Sequence, residues 1–306
     1  MKIYFNRRPV PGPWGGGSKI LSSIIEKCFS AGHQIFFEEQ LLAVENLDIL
    51  FCIDPRPNPA VSFEHLLQYK QKHSSCKLIQ RVGDLGTHGK PELLELVKKT
   101  TQFADVLIFP SSWAKNYLGS NKPSVVIHNA PLKKFVNKRT TKNDRAPLSI
   151  VSHHWSNNSM KGFEIYKALD NFCAYRPKEF KFTFIGRKPD NISLQNYIPP
   201  LDSDGLVNEL PKHDVYITAS KLEAGANHVL EAMAVGLPVL YHVLGGSINE
   251  YCEKYGMPYT DPQELFEILS NRKNEIITLS NSIDWNKTSE DMAKEYVELF
   301  EKIYEN

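Results

Sequence analysis

The chain has 306 residues, enough for two ordinary domains or one large one, and either can bury a full core. Hydrophobic residues at 42% and charged residues at 23% are ordinary for a globular protein. A net charge of +1 supplies no bulk field that would attract nucleic acid, so the partner has to be read from a site. The five cysteines (Cys28, Cys52, Cys76, Cys173, Cys252) form no C-x-x-C pair, which argues against a zinc or dithiol site and for reduced thiols. No 18 apolar residues run together, and the opening MKIYFNRRPVPG has no apolar signal region. The expected setting is cytoplasmic, or peripheral to a membrane.

In chain order, Lys2–Asn6 reads as a strand, followed by a Pro/Gly loop and by helical spacing over Lys19–Ala31. QIFFEE and Asp48–Asp54 (DILFCID) read as strands. Ser62–His73 reads as a helix, Lys77–Val82 as a strand, and Pro91–Phe103 as a helix whose proline suits its first turn. Asp105–Pro110 and Ser124–His128 complete a set of buried strands. Strands alternating with helices predict a parallel sheet covered on both faces.

Lys133–Pro147 (KKFVNKRTTKNDRAP) is polar and basic, shows no hydrophobic period, and reads as the link between domains. Its cations suit weak contact with acidic lipid headgroups, a solvated linker being the plainer reading. The pattern then restarts. Leu148–Ser152 reads as a strand, Lys161–Tyr175 as a helix, and Phe180–Gly186 as a strand. A helix around Leu206–Leu210, a strand over Asp214–Ser220, a helix over Asn227–Val235 and a strand over Val239–His242 follow. Ser289–Tyr304 closes the chain as an amphipathic helix with Met292, Tyr296, Leu299, Phe300 and Ile303 on one side. Two α/β units of similar size are expected, with residues 1–140 and 147–285 as domains and 286–306 joining the first. Ligands in such sheets bind beyond the carboxyl ends of the strands, so a cleft between facing sheets is the expected site.

The most informative segment is Asp214–Gly246, DVYITASKLEAGANHVLEAMAVGLPVLYHVLGG. Glu223 and Glu231 follow a buried strand, and a Gly-containing turn leads into a helix near Ala226 or Asn227. The open N–H groups of that helix start form an anion site. Glu231, one turn in, can accept hydrogen bonds from two vicinal hydroxyls. The segment resembles the donor-site signature of retaining GT-B glycosyltransferases, family 4 in particular: a Glu-x₇-Glu pair, then E-A-x-A-x-G-x-P-V, matched by Glu231 to Val239. The resemblance implies that Glu223 faces the transferred sugar and Glu231 binds the ribose, with Gly225, Ala226, Asn227 and His228 also lining the donor. The family's usual glycine falls at Ala226, whereas this chain has Gly225 one step earlier.

A second match lies in IVSHHWSNNSMKGFEIY, where Lys161-Gly162 fits the family's phosphate-binding lysine. The family's accompanying arginine is absent; either His154 and its polar neighbours or Arg187 in IGRKP could supply the missing interaction. The N-terminal PGPWGGGSK has Walker spacing between Gly12 and Gly17, but Ser18-Lys19 reverses the required order, which argues against a nucleoside-triphosphate loop. The resemblance instead implies a loop in which Gly15, Gly16 and Gly17 let backbone approach the donor phosphate. It also implies Asp84 and His88, after the strand ending at Val82, as acceptor- or sugar-contacting groups. Asp202-Ser203-Asp204 mimics a metal-binding DxD, but it precedes a helix, where an N-cap is expected.

The fold implied is α/β, of GT-B type, with two Rossmann-like domains whose parallel sheets face across a cleft. The reaction implied is transfer of a hexosyl or pentosyl group from a UDP- or GDP-sugar to a glycan, lipid-linked or small-molecule acceptor. It would proceed with retention and without metal or other cofactor. A nucleotide-sugar epimerase and a non-catalytic nucleotide-sugar-binding protein of the same fold are the rival readings.

Overall fold

A computed structural model of the chain describes residues 1–10, 16–136, 138 and 146–305. These form two compact units. The first holds 1–10, 16–129 and 289–305; the second holds 130–136, 138 and 146–288.

The first unit carries a six-stranded parallel sheet of β1 (Lys2–Phe5), β2 (Gln34–Phe37), β3 (Ile49–Cys52), β4 (Lys77–Arg81), β5 (Val106–Phe109) and β6 (Ser124–Val126), in the order β2-β1-β3-β4-β5-β6. The central strand ILFC is buried at every position, as a parallel sheet covered on both faces requires. Helices α1 (Gly16–Ser30), α2 (Phe63–Lys72), α3 (Pro91–Thr101) and α4 (Ser112–Leu118) connect the strands. α1 begins three residues before the Lys19 expected from apolar spacing, because its first turn, Gly16–Ser18, has no apolar residue to mark it. α4 was not expected at all; at seven residues it is too short to show a period, and Ser111 caps it by accepting from Ala114 N–H at 3.0 Å.

The second unit repeats the arrangement with β7 (Leu148–His154), β8 (Phe180–Gly186), β9 (Tyr197–Ile198), β10 (Val215–Thr218), β11 (Val239–His242) and β12 (Gly256–Tyr259). Its order is β12-β11-β10-β7-β8-β9, again parallel throughout. α5 (Phe163–Tyr175), α6 (Ser203–Glu209), α7 (Asn227–Ala234), α8 (Ser247–Cys252), α9 (Pro262–Asn271) and α10 (Lys273–Ser282) pack around it. Asp202 caps α6, accepting from Gly205 N–H at 2.8 Å, so the DxD-like triplet is the N-cap its position implied.

The basic stretch differs from a plain linker at its start. Lys133–Phe135 is a 3₁₀ turn, and Phe135 is fully buried in the second unit beside Val151 and Tyr216. One aromatic anchor produces no period, so the sequence did not reveal it; 137 and 139–145 lie outside the described residues. The last helix, α11 (Ser289–Glu305), belongs to the first unit. Its Phe300 and Tyr296 rings sit 5.3 and 6.0 Å from Phe51 of β3.

All five cysteines are buried and free. Burial pushes the Cys28, Cys76 and Cys173 thiols up to about 12, which removes them as nucleophiles. No helix among the described residues is long and apolar enough to cross a membrane.

Candidate active site in the second unit

The polar side chains of the second unit gather at the carboxyl ends of β7 and β10 and at the start of α7. Two turns build the first half of this site. After β7, Asn158 caps the 3₁₀ turn Ser159–Lys161, accepting from Met160 N–H at 2.9 Å. Gly162 follows with φ +74°, and a Cβ there would lie 2.5 Å from the Ala219 carbonyl oxygen, so only glycine lets the two loops meet. Lys221 N–H donates to Met160 O at 2.9 Å and joins the same loops again.

The second half is the segment between β10 and α7. Leu222 adopts a left-handed φ of +52°, a conformation that costs a non-glycine residue about 1–2 kcal/mol. It is held because Leu222 N–H donates to Leu244 O (2.8 Å), Glu223 N–H donates to Gly245 O (3.1 Å), and Glu223 O accepts from Ser247 N–H (2.8 Å). Gly246 has φ +71°, and a Cβ there would fall 2.7 Å from Glu223 O. The glycine pair after β11 thus fixes the backbone of Glu223 from the far side.

These turns bring two acid–base pairs together. Lys161 Nζ lies 2.5 Å from Glu223 Oε1, with side chains only 11% and 13% exposed. His153 Nε2 lies 3.0 Å from Glu231 Oε2, with side chains 9% and 6% exposed. Beside them, His228 shares a 3.0 Å hydrogen bond with Thr218 Oγ1 and packs edge-on to His154, ring centroids 4.8 Å apart. Burial pushes the His228 imidazole down to about 3; Glu223 and Glu231 act against that shift, while Lys161 and His153 add to it. The ring is neutral at neutral pH.

His153 and His154 leave the strand on opposite sides, as strand alternation requires. His153 reaches Glu231 of α7, whereas His154 Nε2 lies 2.5 Å from Tyr166 Oη of α5. Burial lifts the Tyr166 hydroxyl to about 12, so it stays protonated. It accepts from Ala219 N–H at 2.9 Å and shares a hydrogen bond with His154 Nε2. That ring nitrogen of His154 is therefore engaged with Tyr166. Arg187 follows Gly186 (φ +124°), donates its N–H to His154 O at 3.0 Å, and lays its guanidinium over the Trp155 ring at 4.0 Å.

Ala226 sits at the start of α7 without strain. Its φ is −80°, which any residue adopts, and its N–H donates to Ser247 Oγ at 3.2 Å. At the helix start Asn227 Oδ1 is buried without a hydrogen-bond partner among the described residues, as are Ser220 Oγ and His153 Nδ1. Each such atom costs about 1–3 kcal/mol.

The structure thus brings Lys161, Glu223, Gly225, Ala226, Asn227, His228 and Glu231 into one neighbourhood, with His154 behind it and Arg187 at the adjacent strand end. The other expected residues belong to the first unit. Asp84 serves its own loop there: Oδ1 accepts from Gly86 N–H at 2.9 Å and Oδ2 pairs with Lys90 Nζ at 3.0 Å. His88 sits in the turn that follows. Gly16 and Gly17 form the first turn of α1 instead of a loop, and a Cβ on Gly17 would meet nothing within 4 Å; Gly15 lies outside the described residues. Sequence reasoning named His153 only as one of the polar neighbours of His154 that could replace the family arginine, and missed Tyr166 and Gly246 as site builders. Tyr166 lies within helix α5 and Gly246 in the loop before α8, where a tyrosine or a glycine carries no distinguishing signal.

No protein-family model matches the sequence, and no curated protein matches it significantly. Solved structures do match. Sucrose-phosphate synthase from Thermosynechococcus elongatus aligns over 100% of this chain and 99% of its own, with 15% identity and a TM-score of 0.69. The starch synthase IV catalytic domain from Arabidopsis thaliana, bound to ADP and acarbose, aligns over 100% and 99%, with 11% identity and a TM-score of 0.67. The pneumococcal O-GlcNAc transferase in complex with UDP and GlcNAc aligns over 92% of this chain and 60% of its own, with 12% identity and a TM-score of 0.63. Two doubly wound parallel sheets and full-length alignment to the first two decide the architecture. The fold is GT-B. In a GT-B chain the second unit's cluster occupies the strand ends at which doubly wound sheets bind ligands.

Proposed function

We propose that the chain is a glycosyltransferase that moves a sugar from a nucleotide-sugar donor, a UDP- or GDP-sugar, to an acceptor hydroxyl, with retention of configuration. The observation that carries this reading is the convergence of Lys161–Glu223 and His153–Glu231 at the ends of β7 and β10. It agrees with the ADP- and UDP-bound states of two structures that share the fold.

In this reading Glu231 accepts hydrogen bonds from the ribose hydroxyls, and the start of α7 at Asn227 faces the diphosphate. Lys161 is held by Glu223 before the donor arrives. A diphosphate, with its higher charge, takes the ammonium over and releases the Glu223 carboxylate toward the sugar. The acceptor oxygen then bonds to the anomeric carbon while the bond from that carbon to the phosphate oxygen breaks. The electron pair leaves on the nucleoside diphosphate, whose departing oxygen takes the acceptor proton. Negative charge grows on the leaving phosphate, so Lys161 and the open N–H groups of α7 act more strongly in the transition state than in the ground state. Arg187, already preoriented over Trp155, is the second cation this reading offers the diphosphate in place of the family arginine. The chemistry assigned to these residues is electrostatic and asks for no metal.

The test is incubation with UDP- and GDP-sugars under mass detection. Slow donor hydrolysis, abolished by Glu231→Ala together with at least about tenfold weaker donor binding, supports the reading. A changed sugar on an intact nucleotide would replace it with an epimerase, and binding without turnover with a binding module. Unchanged donor affinity in Glu231→Ala would sink the site assignment.

A further inference from the structure

We propose that His153 is the positioning residue of the ribose subsite: its Nε2–H holds the Glu231 carboxylate in the orientation that accepts two vicinal ribose hydroxyls. The proposal rests on the assignment of Glu231 to ribose.

A carboxylate only accepts hydrogen bonds, so the 3.0 Å contact to Glu231 Oε2 places the proton on His153 Nε2. This fixes the tautomer, and with it the direction from which one carboxylate oxygen is held. The backbone that carries the ring is held in place. His153 N–H donates to Tyr216 Oη at 3.0 Å, and the Tyr216 hydroxyl lies 3.0 Å from the His153 carbonyl oxygen, to which it donates. The Tyr216 ring meets the imidazole edge-on, centroids 5.4 Å apart. Glu231 is therefore aimed by a chain of fixed groups that runs back into the sheet.

The other ring nitrogen carries the second half of the argument. His153 Nδ1 is buried and has no hydrogen-bond partner among the described residues. A phenylalanine or leucine would fill the same space without an unpaired buried nitrogen, so packing alone does not favour histidine here. What histidine adds is the Nε2–H. A carboxylate left to rotate would present its two oxygens to the ribose only part of the time. One anchored through Oε2 is preorganised, and preorganisation raises affinity for the ligand whose paired hydroxyls match it. The consequence is specific: His153 sets how strongly the site distinguishes a ribonucleotide from a deoxyribonucleotide.

The experiment is isothermal titration of the full chain with UDP, GDP and ADP, each beside its 2′-deoxy and 3′-deoxy analogues. Wild type, Glu231→Ala, His153→Phe and His153→Gln are compared, with thermal melting as a control for folding. Wild type is expected to favour the ribonucleotide by about 10- to 100-fold. Glu231→Ala should collapse that ratio. His153→Phe should shrink it at least about fivefold. His153→Gln, whose amide N–H reaches the same place, should restore most of it. Loss of affinity that is equal for ribo- and deoxyribonucleotides in His153→Phe would mean a structural role only and would overturn the proposal. So would an unchanged ratio in His153→Phe beside a collapsed one in Glu231→Ala, with the Glu231 assignment left standing. An unchanged ratio in Glu231→Ala would remove the ribose assignment itself, and the proposal with it.

Discussion

The two units share one architecture yet use the carboxyl ends of their sheets in opposite ways. In the first, the buried Arg81 at the end of β4 donates through Nε to Tyr296 Oη at 3.0 Å and through Nη2 to Asn129 Oδ1 at 2.8 Å, tying α11 to the sheet. Asp84 is bound up in its loop with Gly86 and Lys90. In the second, Lys161 pairs with Glu223 and His153 with Glu231. Among the described residues Ser152 Oγ, His153 Nδ1, Ser220 Oγ and Asn227 Oδ1 are buried there without hydrogen-bond partners, against Gln80 Oε1 at the end of β4 in the first. The lesson is that topology places polar residues at strand ends, while their pairing separates architecture from a site. Groups whose partners lie in the frame stabilise it. Oppositely charged groups that pair at a strand end, beside buried polar atoms without partners among the described residues, hold capacity for a ligand.

This contrast can be broken or sharpened by experiment. The largest effect on folding is expected from Arg81→Leu, which removes the buried hydrogen bonds to Tyr296 Oη and Asn129 Oδ1; stability should fall by about 2–3 kcal/mol. Urea unfolding measures that, and nucleoside diphosphate affinity of the still-folded protein should be unchanged. Weakened nucleotide binding there would erase the contrast. Gly246→Ala follows, at about 2 kcal/mol, from its left-handed φ and the 2.7 Å approach of a Cβ to Glu223 O. Unlike Arg81→Leu it should also weaken donor binding, because Glu223 is displaced.

Glu223→Gln tests the handover of Lys161. An amide no longer holds the ammonium by charge, so UDP or GDP alone should bind about 3- to 10-fold tighter, while donor turnover falls. Weaker calorimetric binding of the nucleotide would show that the ion pair does not compete with phosphate. His228 offers a pH test. Its imidazole is held at about 3, below the ordinary 6.5, so the unfolded chain binds the extra proton between those values. Its contribution is complete above about pH 6.5 and is lost as pH falls toward 3. In His228→Gln the acid loss of stability should be shallower over that window; parallel curves would refute the shift. Smallest is Asp84→Asn, which loosens an ion pair with Lys90 whose side chains are about two-fifths exposed. It should change stability by no more than about 0.5 kcal/mol and leave donor turnover intact. A large loss of turnover would place Asp84 among the catalytic residues, as the family resemblance implies.

What the sequence determined by itself was local. Runs such as ILFC and VYIT are apolar throughout, so they read as strands buried on both faces. The α7 segment and its EAMAVGLPV run were legible because a helix and its exit leave a continuous pattern. Short elements such as α4, and the single buried Phe135, were not legible, since one turn or one aromatic ring makes no period. The candidate residues Lys161, Glu223 and Glu231 were named through the family resemblance, since their spacing alone does not single them out. The tertiary structure alone decided their partners. Lys161 and Glu223 are 62 positions apart, and His153 and Glu231 are 78 apart. Their meeting depends on the placement of β10 beside β7 and on two glycines, Gly162 and Gly246, whose positive φ lets neighbouring backbones approach. The spacing of one chain cannot encode such a meeting, because it is set by how the strands are ordered in the sheet.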